Sequence, residues 1–159
     1  MKILLAVDGS PCSNAAVDEV ARKLLPEGSE IKIISVVEPI IEPVAQNWAL
    51  PENYYDQMEE FAEGRANQAI GRAADQLKSA FTKGVAVDSV IVKGFPKEAL
   101  IDEADRWGAD LIVVGSHGYR GITRFLIGSV SQAIASHANC SVEIVRCRQT
   151  PSPEKREGS

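Results

Sequence analysis

The residues best suited to chemistry fall in two short stretches. Asp8-Gly9-Ser10 follows one apolar run, and Gly115-Ser116-His117-Gly118-Tyr119-Arg120-Gly121 follows another, with Gly128-Ser129-Val130-Ser131-Gln132 shortly downstream. Glycines at 115, 118 and 121 let the backbone take turns that a side chain would obstruct and let it approach a ligand closely. Ser129 and Gln132 have the spacing of a capping box, which marks a helix start. The first amides of a helix have no partner within it, and the helix dipole favours negative charge, so phosphate oxygens fit there. The same residues equally fit a Ser129 that only caps its helix while water satisfies the other amides.

The elements that must hold these residues read as alternating strands and helices. Ile3 to Val7, Ile31 to Val37, Val85 to Val92, Leu111 to Val114 and Val142 to Val145 read as strands, several too continuously apolar for a sheet with one wet face. Ser10 with Pro11 starts a first helix whose Val17, Val20, Ala21 and Leu24 share a face until Pro26 and Gly28 stop it. A long amphipathic pattern from Tyr54 to Phe81 aligns Met58, Ala62, Ala66, Ala69, Ala73, Leu77 and Phe81. Its acidic N-terminal part, Glu52 to Glu63 with Arg65, reads as a solvated face. A third helix turns Leu100, Ile101, Ala104 and Trp107 inward and ends at Gly108, and a fourth runs from Ser129 to Ala138. This alternation predicts an α/β fold: an open parallel sheet with right-handed crossovers and helices on both faces. In such a sheet ligands bind at the C-terminal ends of strands where the strand order reverses, which is where both chemical stretches fall.

Composition bounds the rest. The 159 residues, 45% apolar and 25% charged, suit a single domain over 1–148, large enough to fold without staples. A net charge of -5 argues against binding nucleic acid backbone, although four Arg against one Glu between Gly115 and Arg148 would favour a small anion locally. Residues 149–159 are expected to be disordered, and Glu38 to Glu52 reads as a long surface loop. The apolar run Ile3 to Val7 is too short for an export signal, and no run approaches a membrane span, so a soluble, cytoplasmic chain with no membrane partner is expected. The three cysteines, Cys12, Cys140 and Cys147, form no close pair and fit a reducing compartment; Cys140 and Cys147 read as small buried hydrophobes. No GxxxxGK[ST] is present, and no GxGxxG follows the first strand. Lys93-Gly94 stands where a response-regulator receiver would carry its phosphate-accepting Asp.

Gly115-x2-Gly118-x9-Gly128-Ser129, with Val7-Asp8-Gly9-Ser10, Gly94-Phe95-Pro96 and Val114-Gly115-Ser116-His117-Gly118, resembles the universal stress protein family from Ile3 to about Arg146. The resemblance implies five parallel strands in the order 3-2-1-4-5, the adenine nucleotide alpha hydrolase-like arrangement, and ATP binding of the kind associated with the full glycine motif. By matching position, Gly128, Ser129, Val130 and Ser131 would hold phosphates, with Val114, Gly115, His117 and Gly118 supplying the loop. Backbone groups around Val36 would meet the adenine, and Ala6, Val7 and Asp8 would line the purine and ribose. Asp8 would take a ribose hydroxyl or a metal-bound water, or else only cap the next turn; His117 would touch a phosphate or simply pack in its loop. Tyr119 stands where many members have Arg, leaving Arg120 or Arg124 to supply a cation.

Binding is easier to supply than turnover. A few charge-assisted hydrogen bonds, roughly 1.5–3 kcal/mol each, together with purine burial reach micromolar affinity. Fast hydrolysis needs a positioned water, a base and cations, whereas Gly115 to Ser131 holds no Lys, no acid and only His117 as a base. The expectation is therefore an ATP-dependent stress-response regulator or sensor with slow or no hydrolysis and no catalytic residue assigned. A weak Mg-dependent ATPase, or a chaperone-like interaction protein with a structural nucleotide, is the alternative. ATP, AMP or ADP would be the ligand, with Mg2+ or Mn2+ held mainly by the phosphates. The family resemblance further implies a homodimer through the last strand, Ser141 to Arg146, beside a protein partner of unknown identity.

Overall fold

Residues 1–40, 53–118 and 127–147 are described by the computed structural model of the chain. Five strands, β1 (Lys2–Ala6), β2 (Ser29–Val37), β3 (Val85–Lys93), β4 (Leu111–Gly115) and β5 (Ser141–Val145), alternate with α1 (Pro11–Ala21), α2 (Tyr54–Ala80), α3 (Pro96–Trp107) and α4 (Ser129–His137). The strands form one parallel sheet in the order β3-β2-β1-β4-β5, with Ile3 opposite Ile31 on one side and Leu111 on the other. The expected fold class and strand order are therefore observed.

The strand alternation explains the layering. Ile3, Leu5, Ile31, Ile33 and Val113 pack with Ala16, Val17, Val20, Ala69, Ile70, Ala73 and Leu77, so α1 and α2 cover one face. Leu4, Ile34, Ile112 and Val114 pack with Leu100, Ala104 and Ile134, so α3 and α4 cover the other. Each fully buried Ile or Leu contributes about 1.5–3 kcal/mol through apolar burial.

Several helix expectations need correction. α1 ends at Ala21, not beyond Leu24, because the Arg22 and Lys23 amides close tighter turns onto Glu19 and Val20. Leu24 is fully exposed, and Leu25 packs on the core in its place. The burial of α2 begins at Ala66, so Met58, on the expected inner face, is exposed; its neighbours Glu59 and Glu63 pair with Lys93 at the end of β3. α3 buries a charge that apolar periodicity did not reveal. Glu103 is 5% exposed and accepts from Lys32 Nζ at 2.8 Å and from Arg106 Nε at 3.0 Å. Lys32 also lies over the Trp107 ring, 4.5 Å from its centroid. Burial alone would raise the Glu103 carboxyl, and the hydrogen bonds from Lys32 and Arg106 outweigh it, holding the group below its ordinary value. Gly108 ends α3 in the left-handed conformation, as the sequence predicts. The expectations for the 38–52 loop beyond residue 40, and for the tail beyond residue 147, lie outside the described residues.

Candidate nucleotide site

The crevice opens where β1 lies between β2 and β4, since the chain leaves β2 and β4 on opposite sides of it. Here three turns converge. The first follows β1. Asp8 Oδ1 accepts from the Ser10 amide at 2.8 Å, and Ser13 Oγ accepts from the amides of Asp8 and Gly9 at 3.3 and 3.1 Å. Ser10 caps α1 by accepting from the Ser13 amide at 3.2 Å and donates to the His117 carbonyl at 3.3 Å. Gly9, at φ 80, is the one residue of this turn in the left-handed region. One oxygen of Asp8 is thus committed to the turn, and that turn is tied to the loop after β4.

That loop is shaped by close approach and not by unusual backbone angles, since Gly115, Gly118 and Gly128 all avoid positive φ. A Cβ on Gly115 would stand 2.6 Å from the Cys12 carbonyl carbon and 2.7 Å from the Ser13 nitrogen. One on Gly118 would stand 2.8 Å from Asp8 Oδ2, and one on Gly128 would stand 3.1 Å from the Ser116 carbonyl oxygen. The glycines let α1, Asp8 and the β4 loop close on one another. Gly121, with Tyr119, Arg120 and Arg124, lies outside the described residues.

The third turn is the start of α4. Gly128 is its N-cap, in extended backbone, and its amide donates to the Ser116 carbonyl at 2.7 Å. The capping-box expectation is therefore wrong: Ser129 is already helical, and no side chain caps the helix. A capping residue must be extended for its hydroxyl to reach the second or third amide, and Gly128 occupies that place. The first amide bonded within the helix is that of Gln132, to the Gly128 carbonyl at 2.9 Å. The amides of Ser129, Val130 and Ser131 precede it and carry the positive end of the helix dipole. Ser131 is buried, and its hydroxyl donates to the Gly115 carbonyl at 2.7 Å, binding α4 to the end of β4. His117 Nδ1 lies 3.1 Å from Ser116 Oγ, while Nε2 is buried and lacks a hydrogen-bond partner. An orphaned buried nitrogen of this kind costs free energy until something bonds to it.

The other side of the crevice is backbone. β1 last pairs with β2 at Ala6 and Ile34, and the Val7 amide donates to the Ile34 carbonyl at 2.9 Å. Alternation along a parallel strand then turns both the N–H and the C=O of Val36 to the side where β1 has ended. Val36 therefore presents a donor beside an acceptor. Ala6 packs on the same cluster as Val36 and Val114, and Val7 is buried on the opposite face.

The expectation of Cys147 as a small buried hydrophobe is overturned. Cys12 and Cys147 are joined by a disulfide spanning 135 residues, and Cys140 is free. Spacing in the chain hides the pair, whereas topology reveals it: Cys12 begins the helix after β1, and Cys147 lies just past β5, so both sit at the C-terminal edge of the sheet. Burial pushes the Cys140 thiol up, which agrees with its reading as a small hydrophobe.

The universal stress protein family model matches residues 1–146. The chain belongs to that family. Universal stress protein A homolog 2 of Coxiella burnetii is 35% identical over 150 residues, covering 92% of this chain and 95% of that protein. The solved structure of universal stress protein UspA from Lactobacillus plantarum is 25% identical, covers 92% of this chain and 97% of its own, and has a TM-score of 0.68. A universal stress protein solved in complex with cAMP is also 25% identical, covers 93% of this chain and 98% of its own, and has a TM-score of 0.64. Gly115, Gly118 and Gly128 of the glycine motif are the three close approaches above.

Proposed function

We propose that this chain is an ATP-binding regulator or sensor of the stress response, with slow or no hydrolysis. The observation that carries the reading is the start of α4, where the amides of Ser129, Val130 and Ser131 precede the first intrahelical bond and no side chain caps them. Phosphates would take these amides together with the Ser129 hydroxyl. Val36 would pair its N–H and C=O with the adenine edge, Ala6 and the backbone of Val7 would lie along the purine, and Asp8 Oδ2 would take a ribose hydroxyl; the Val7 side chain, expected beside the purine, faces the α1–α2 layer instead. Val114, Gly115, His117 and Gly118 would form the loop between ribose and phosphates, with His117 Nε2 gaining the partner it lacks. The complex of a related family member with cAMP supports an adenine nucleotide as ligand.

The site's described side chains suit binding better than turnover. Asp8 and His117 are the titratable groups of the converging turns, and no three His, Cys, Asp or Glu side chains cluster among the described residues. Mg2+ or Mn2+ would therefore be held mainly by the phosphates. Homodimerisation through the last strand, Ser141 to Arg146, belongs to the same proposal, implied by the family resemblance and supported by the place of β5 at a sheet edge. A cytoplasmic location is part of the same proposal; no helix among the described residues is long and apolar enough to cross a membrane.

The test is an ATP titration by calorimetry of the wild-type chain and Ser129→Ala. Removing a hydroxyl that makes no capping bond leaves the fold intact and is expected to weaken binding roughly tenfold, the size of one charge-assisted hydrogen bond. Equal affinity of the two proteins would refute the phosphate assignment. A turnover assay with Mg2+ addresses the second half of the proposal: multiple turnovers within minutes, abolished by Asp8→Asn, would make the chain an ATPase.

A further inference from the structure

The disulfide stands beside the proposed nucleotide cradle. Cys12 lies in the first turn of α1, and its backbone is the surface that a Cβ on Gly115 would strike. Ser116 Oγ lies 3.7 Å from Cys12 Sγ, and the Ser116 amide donates to the carbonyl of Val145, two residues before Cys147, at 2.7 Å. The cysteine Cα atoms are 4.6 Å apart, within the span a disulfide needs. Cys12 is buried and Cys147 half-buried, so Cys147 is the more exposed member of the pair. Cys140 stands apart on the α3–α4 face.

We propose that Cys12 and Cys147 form a reversible redox pair whose oxidation tightens adenine nucleotide binding at the adjacent crevice, a coupling that rests on the nucleotide reading above. In the oxidising direction the Cys147 thiolate attacks a low-molecular-weight disulfide, forming a mixed disulfide and releasing one small thiol. The Cys12 thiolate then attacks Cys147 Sγ and releases the second small thiol. Two electrons pass from the cysteines to the small disulfide, and the two cysteine protons end on the two small thiols. Reduction by an excess of small thiol reverses both steps.

The direction of the coupling follows from what the bond restrains. The first turn of α1 carries the cap Ser10, which holds the His117 carbonyl, and follows the Asp8 turn that faces Gly118. Cross-linking this turn to the segment after β5, whose Val145 carbonyl holds the Ser116 amide, restrains the α1 turn relative to the β4 loop before ligand arrives. When the bond is cut, the ligand must order that wall itself, and binding weakens.

The experiment equilibrates the full chain in mixtures of reduced and oxidised glutathione, counts thiols by alkylation and mass measurement, and titrates each state with ATP. The expected result is a reversible change between three free thiols and one, Cys140, with the oxidised state binding about fivefold tighter or more. Cys147→Ser should bind as the reduced wild type does in either buffer. Failure of the native pair to cycle, or equal measurable ATP affinity in both states, overturns the redox coupling and leaves the nucleotide reading standing. Absence of ATP binding in both states overturns the two together. Because the wild-type comparison needs no substitution, a variant that misfolds does not decide the matter.

Discussion

Gly118 lies against Asp8 so closely that a β-carbon on it would stand 2.8 Å from Asp8 Oδ2. The atom in the way is the free end of a side chain, so Gly118→Ala is expected to fold normally and push the carboxylate out of place. ATP affinity should fall several-fold while the urea midpoint moves little. Unchanged affinity would remove Asp8 from the ribose contact.

Gly115→Ala should behave differently. Its added carbon meets the backbone of Cys12 and Ser13 at 2.6 to 2.7 Å, and backbone at a helix start cannot rotate aside. Overpacking of this kind costs about 3 kcal/mol. Chemical denaturation measures it; a loss under 1 kcal/mol, roughly the lower bound for overpacking, would mean that α1 is less firmly seated than described.

Ser131→Ala separates scaffold from ligand contact. Its hydroxyl is spent on the buried Gly115 carbonyl, and removing it should cost about 1–3 kcal/mol of stability by leaving that acceptor unpaired. Ser129→Ala should leave stability within ~0.5 kcal/mol. A reversal of these two stabilities would contradict the start assigned to α4.

Glu103 predicts the acid limb of the stability curve. Its folded carboxyl is held below its ordinary value of 4.5, so its contribution is present above that pH and is lost as the pH falls through the lower folded value. Glu103→Gln should flatten this limb and destabilise the protein by about 3 kcal/mol at neutral pH, because Lys32 is left half-buried without its counter-charge. Denaturation measured at several pH values in both proteins checks the sign.

Strand positions were legible in the sequence because β1, β2 and β4 are covered on both faces, and short runs rich in apolar residues mark that environment. Helix ends were less so. The apolar pattern of α1 runs on through Leu24, yet the backbone turns off at Arg22, and no side-chain periodicity reports that choice. Met58 fits the α2 stripe but falls before the segment that the sheet covers. The glycine motif was visible as spacing, while the reason for each glycine was not, since it depends on Cys12, Asp8 and Ser116 arriving from elsewhere. Glu103 and the Cys12–Cys147 pair share that limitation: both are contacts between distant parts of the chain, seen only after the strands are placed in order.

Because β1 has β2 on one flank and β4 on the other, it is the seam between two halves of the domain. A molecule reaching from the free edge of Val36 to the mouth of α4 would cross that seam like a rivet. Amide hydrogen exchange in the middle of the sheet would then slow with occupancy, even in strands that touch no part of the guest.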